Sequence, residues 1–174
     1  MKNKKRSLKY LLTPDYMFDT FDLVSVDFLR SIGVSALLID IDNTLAPYEQ
    51  PEPDERIINW FAALSAAGIS ASLISNNHPP RVELFNKELG LPAYYKAHKP
   101  FKKNLLRAMA DMGTSREETI LMGDQVFTDV WAAHNAKIRA ILVPPINDKK
   151  DLFTKFKRLL ERPILRKYEK RNKK

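Results

Sequence analysis

The chain alternates short, wholly apolar runs with stretches whose apolar residues recur at helical spacing. Residues 36–41 are apolar on both faces up to their first carboxylate, the pattern of a strand covered on both sides. Pro47, Pro51 and Pro53 mark a loop. Ile57, Ile58, Phe61 and Leu64 then follow a helical period that Gly68 stops. The pattern goes on to predict a strand over 69–74, a helix over 81–89 closed by Gly90, and a short strand over 94–97. Phe101, Leu105, Leu106, Met109 and Met112 form another helical stripe, with the methionines as core filler. Ser115 and Glu118 have the spacing of a cap. A strand over 119–122, a helix over 126–135, a strand over 139–143 and an amphipathic helix over 151–160 complete the series. Strands and helices in strict alternation imply a parallel α/β sheet.

The 174 residues fit one domain with a full core. The expected organisation is a basic and aromatic extension with a short helix over 1–35, packing on a core over 36–162, then a basic tail over 163–174. The chain has no cysteine, which excludes disulfides, a thiolate nucleophile and Cys-ligated zinc and fits a reducing, cytoplasmic setting. No apolar stretch approaches the ~20 residues of a membrane span. The basic N-terminus is soon interrupted by polar and acidic residues, unlike a secretory leader. The formal net charge of +8 is unevenly spread: residues 1–9 carry +5 and residues 149–174 carry +9, leaving 10–148 at −6. Basic ends suit an anionic surface, lipid or RNA, or serve simply as solubilising tails.

The first predicted strand ends in Asp40-Ile41-Asp42-Asn43-Thr44. Positions i and i+2 of a strand point the same way, so Asp40 and Asp42 are expected to share one small space. Two like charges there repel unless a cation or a shared proton compensates. The plain alternative is a solvated turn with two acids. The later strands argue against it, because each also ends in polar groups: Ser75 and Asn76, then Lys99, then Asp124 and Asp129. Singly these read as turn residues or exposed charges. Parallel strands align their carboxyl ends along one edge, so the set is expected to converge there. His78, His98 and His134 lack metal-ligand spacing and are expected to be structural or solvated, with His98 beside Lys99.

Asp-Ile-Asp-Asn-Thr at 40–44, the strand-end Ser75, Lys99-Pro100 and Gly-Asp-Gln-x-x-Thr-Asp at 123–129 resemble, in order, the four motifs of the haloacid dehalogenase (HAD) superfamily of phosphatases. The resemblance implies a HAD-like Rossmannoid α/β fold, a mostly parallel sheet sandwiched by helices. It implies that Asp40 attacks phosphorus to form an aspartyl-phosphate, and that Asp42 protonates the leaving oxygen and later takes a proton from water. Thr44 and Ser75 would hold the phosphoryl oxygens, with Asn76 helping through its backbone or amide. Lys99 would neutralise charge on Asp40 and the transferring group. Mg²⁺ is the implied cofactor, bound by Asp40 and Asp124 side chains and the Asp42 backbone carbonyl. Asp129 would act through water or orient Lys99.

Relatives of this kind often insert a cap domain between the motifs. Here only residues 45–74 and 77–98 are available, and each already holds a helix and a strand, so no cap domain fits. An open site suits a bulky substrate, a macromolecule or a membrane headgroup, unless a partner subunit supplies a lid. Asn43, His98-Lys99-Pro100 and the whole run 123–129 further resemble the bacterial YqeG-type (HAD-IIIA) proteins, which are similar to mitochondrial phosphatidylglycerophosphate phosphatases. That implies a lipid phosphate monoester as substrate and peripheral contact with the inner face of the membrane. Lys2, Lys4, Lys5, Arg6 and Lys9 before Tyr10, Leu11, Leu12, Tyr16, Met17, Phe18 and Phe21 would make that contact, or the aromatics would pack on the domain. The alternatives are phosphatase action on a soluble metabolite, or a HAD-like binding protein docking on RNA or ribosomes through its basic ends. A phosphoryl-accepting receiver domain is disfavoured, because it keeps its acceptor Asp apart from the acidic pair.

Overall fold

The computed structural model describes residues 8–147. In chain order its elements are α1 (Leu8–Leu11), β1 (Tyr16–Met17), a 3₁₀ turn (Phe21–Leu23), α2 (Val26–Ser31), β2 (Ala36–Ile39), α3 (Glu55–Ala66) and β3 (Ser70–Ile74). Then come α4 (Pro79–Asn86), β4 (Ala93–Tyr94), α5 (Lys103–Met112), β5 (Thr119–Gly123), a π-helical turn (Val126–Val130), α6 (Trp131–Ala136) and β6 (Arg139–Leu142). The strands form one sheet in the order β1-β6-β5-β2-β3-β4, and every pair is parallel. The predicted helix over 151–160 and both basic ends lie outside the described residues.

Strand alternation divides the core into two layers. Leu37 and Ile39 point to one face with Ile57, Trp60, Phe61 and Leu64 of α3 and Val82 and Phe85 of α4. Leu38 and Leu121 point to the other with Leu105 and Met109 of α5 and Ala132 and Ala133 of α6. Each fully buried Leu or Ile contributes roughly 1.5–3 kcal/mol, and β2, at the centre of the sheet, carries no polar side chain on either face. The segments linking β2 to β3 and β3 to β4 hold one helix each and no inserted domain. Among the described residues, no helix is long and apolar enough to cross a membrane.

The structure bears on four sequence expectations. First, the extension before residue 36, expected to hold a short helix, also holds a strand: β1 pairs with β6, Tyr16 against Ile141 and Met17 against Leu142. Two residues are too few to show a period. Asp15 secures the pairing, its N–H donating to the Ala140 carbonyl at 3.0 Å and its carboxylate accepting from the Ala140 N–H at 2.8 Å. Buried His134 contacts the Leu11 carbonyl and the Asp15 carboxylate, each at 3.0 Å. Second, of the two readings of the N-terminal apolar residues, packing on the domain holds for most of them. Leu12 and Phe21 are buried, and Tyr16 and Phe18 pack edge-on against Phe28. Third, Phe101 is no core residue. It is 72% exposed, because it lies in the turn before α5, its N–H donating to the His98 carbonyl. Fourth, the helix predicted over 126–135 opens with a π-helical turn, a device common at functional sites.

Candidate active site

The turn after β2 separates the two leading carboxylates. The Ile41 carbonyl accepts from the N–H groups of Thr44, Leu45 and Ala46, at 3.2, 3.0 and 3.3 Å, and Asn43 takes the left-handed conformation at φ 64°. Asparagine tolerates that region better than most side chains. Asp40 and Asp42 therefore each face their own cation. The Lys99 Nζ lies 2.7 Å from Asp40 Oδ1. The Arg81 Nε and Nη2 each lie 3.2 Å from Asp42 Oδ1, and Asn77 Nδ2 lies 3.2 Å from Asp42 Oδ2. The repulsion expected between the paired acids is relieved by two positive charges, of which the sequence had suggested only Lys99.

Lys99 is the centre of the site. Its side chain is 2% exposed and also lies 2.6 Å from Asp129 Oδ1. Asn76 fixes its backbone from both sides, accepting from the Lys99 N–H at 2.7 Å and donating to the Lys99 carbonyl at 3.2 Å. The Asn76 amide is thus engaged in placing Lys99, which leaves its backbone N–H as the group to offer a phosphate. Asn135 holds the next carbonyl, that of Pro100, at 3.0 Å. Burial pushes the Asp40 carboxyl up to about 7, against the pull of Lys99. Burial alone would lower the Lys99 ammonium, but Asp129 and Asp40 outweigh it and raise it.

Asp124 and Asp129 come from the end of β5 and the π-helical turn. Asp129 accepts from the Gln125 N–H at 3.0 Å and the Thr128 hydroxyl at 3.1 Å, both on Oδ2. It reaches Lys99 only because residue 123 is glycine. A Cβ there would lie 2.3 Å from Asp129 Cγ and 2.5 Å from its Cβ. Asp129 is itself buried and held on both oxygens, so it has nowhere to retreat. Gly123→Ala should cost roughly 1–3 kcal/mol of stability through overpacking. It should also lower turnover by at least about tenfold, the scale of small misplacements in a site. Thermal unfolding and phosphate-release rates measure the two effects.

Asp40, Asp124 and Asp129 each offer a carboxylate oxygen within 4.8 Å of the others, and all three are buried. Lys99 pairs with two of the three, Asp40 and Asp129. Hard oxygen donors in this charge setting fit a divalent cation. Asp40, Asp124 and Asp129 are the side chains that could hold it, with both Asp129 oxygens already engaged. The Thr44 hydroxyl is buried without a hydrogen-bond partner among the described residues. Such a group costs about 1–3 kcal/mol if left so, and an oxygen-rich ligand would satisfy it. The Ser75 hydroxyl accepts from the Asn77 N–H at 3.0 Å, which leaves its own hydrogen to donate. His78 and His98 are exposed, and His134 is structural.

Sequence reasoning passed over Arg81 and Asn77. A signal existed for Arg81: it lies in the first turn of α4, where the helix dipole disfavours a cation, so a nearby acid was needed to offset it.

A model of the haloacid dehalogenase-like hydrolase family matches residues 37–143. The chain is 35% identical over 158 residues to "Probable phosphatase YqeG" of Bacillus subtilis strain 168, covering 91% of this chain and 92% of that one. The crystal structure of an uncharacterized protein from Listeria monocytogenes serotype 4b matches at a TM-score of 0.53 with 14% identity, over 68% of this chain and 85% of that one. The cobalt-bound deoxy-D-mannose-octulosonate 8-phosphate phosphatase of Haemophilus influenzae also matches at 0.53, with 15% identity over 79% of this chain and 90% of that one. These two structures share the fold.

Proposed function

The chain belongs to the haloacid dehalogenase-like hydrolase family as a phosphatase, and we propose that it hydrolyses phosphomonoesters through an aspartyl-phosphate on Asp40. The observation that carries this is the buried Asp40 carboxylate, paired with Lys99 and grouped with two further carboxylates. In the first step an Asp40 oxygen bonds to phosphorus, the bond to the leaving oxygen breaks, and Asp42 gives that oxygen its proton. In the second, water attacks phosphorus, Asp42 takes its proton, and the Asp40–phosphorus bond breaks to release inorganic phosphate. Thr44 and Ser75 donate hydroxyls to the phosphoryl oxygens, and Lys99 places positive charge beside the group in transfer. Mg²⁺ held by Asp40, Asp124 and the Asp42 carbonyl would offset the charge on those oxygens.

For the substrate, we favour a lipid phosphate monoester such as phosphatidylglycerophosphate. Among the described residues no inserted domain covers the site, and the segment after β4 exposes Tyr95 and Phe101 beside exposed Lys96, His98 and Lys102 in the chain. Aromatic and basic groups together around a phosphate site suit an anionic lipid surface. The test has two parts. Phosphate release from p-nitrophenyl phosphate should need Mg²⁺ and stop with EDTA. Phosphatidylglycerophosphate in anionic vesicles should then be turned over faster than a panel of soluble sugar and nucleotide phosphates. Robust turnover of a soluble phosphate with none of the lipid would reject the lipid reading and keep the phosphatase.

A further inference from the structure

We infer that Arg81 is a positioning residue for Asp42, setting the direction in which that carboxyl meets the leaving group; the inference rests on the phosphatase reading above. Asp42 stands past the end of β2 in a turn, and the described hydrogen bonds to its side chain come from the opposite segment, β3 to α4. Arg81 Nε donates to Oδ1, with Nη2 3.2 Å from the same oxygen, and Asn77 donates to Oδ2. Arg81 is itself fixed. Its Nη1 donates to the Pro51 carbonyl at 3.1 Å, and its guanidinium lies 5.1 Å from the Phe85 ring centroid and 5.8 Å from that of Tyr48. The two side chains are only 11% and 12% exposed. A planar fork locked against two rings and a carbonyl imposes an orientation that a flexible ammonium would not.

The placement matters because proton delivery is geometric. As the bond from phosphorus to the leaving oxygen breaks and the Asp40 bond forms, the Asp42 proton must pass to that oxygen at hydrogen-bond distance. An alkoxide leaving group needs the proton. A p-nitrophenolate leaves well without it. Losing the orientation of Asp42 should therefore penalise alkyl esters selectively, whereas general loosening of the site should penalise both alike.

The experiment measures kcat/KM on glycerol 3-phosphate and on p-nitrophenyl phosphate for wild type, Arg81→Met, Arg81→Lys and Asp42→Asn. Arg81→Met should lose roughly 10²-fold or more on the alkyl ester, within the range general acid catalysis supplies, and under about tenfold on the aryl ester. Arg81→Lys, which keeps the charge and guards against a folding failure, should show the same selectivity in smaller measure. Arg81→Met added to Asp42→Asn should cause little further loss on the alkyl ester, because the two act as a unit. Equal losses on both esters, or a rise in KM with kcat unchanged, would overturn the assignment while leaving the phosphatase standing. A wild type that hydrolyses neither ester overturns both.

Discussion

Lys99→Met should destabilise the protein by about 3–5 kcal/mol and abolish turnover, because it strands buried carboxylates. Asp40 and Asp129 both rely on this one ammonium, at 2.7 and 2.6 Å, and Asp129 is as deeply buried as Lys99 itself. At about 2–4 °C per kcal/mol for a chain of this size, the melting temperature should fall by roughly 10 °C. Differential scanning calorimetry in EDTA reads that fall. Added Mg²⁺ should recover part of it in the variant, since a bound cation also offsets carboxylate charge. A variant that melts within a degree of wild type would show that Lys99 does not neutralise this cluster.

Asp40→Asn should have the opposite profile: activity lost by at least about 10⁴-fold, as expected when a nucleophile is removed, with the fold retained. Asparagine has the shape of aspartate without the charge that burial disfavours, and burial is what pushes the Asp40 carboxyl up to about 7. Lys99 keeps Asp129 as partner. In EDTA the melting temperature should therefore hold or rise. Wild type quenched in acid during turnover should carry a covalent phosphate on Asp40, and the variant none. Turnover that survives in Asp40→Asn would remove the covalent mechanism. Together the two variants separate the residue that does the chemistry from the one that makes its burial tolerable.

Much of this was legible in the sequence, for reasons that can be named. β2 and β5 were visible because strands covered on both sides leave apolar runs, and the polar groups at their ends, like those after β3, marked one edge. Asp40, Ser75 and Asp124 were visible because each follows directly on a strand. What stayed hidden depends on partners far apart in the chain. Asp42 meets Arg81 across 39 residues, and no local pattern joins them. Asn76 was correctly placed at the edge, but only the fold shows that its amide serves the Lys99 backbone. Phe101 kept helical spacing with Leu105, yet the helix starts two residues later, at Lys103. β1 is too short to carry a period, and its existence rests on Asp15 and His134 rather than on propensity.

The strand order also governs when the fold can close during synthesis. β2 pairs with β3 soon after both emerge, but its other neighbour is β5, residue 36 meeting residue 119. β1 waits longest, since among the described residues its one partner in the sheet is β6. Non-local parallel pairing is slow, and a nascent chain growing from its N-terminus holds unpaired edges until the far half arrives. Asp40 and Lys99 can meet before Asp129 exists. The N-terminal strand, anchored at last through Asp15 and His134, closes the sheet at the end of synthesis rather than the beginning.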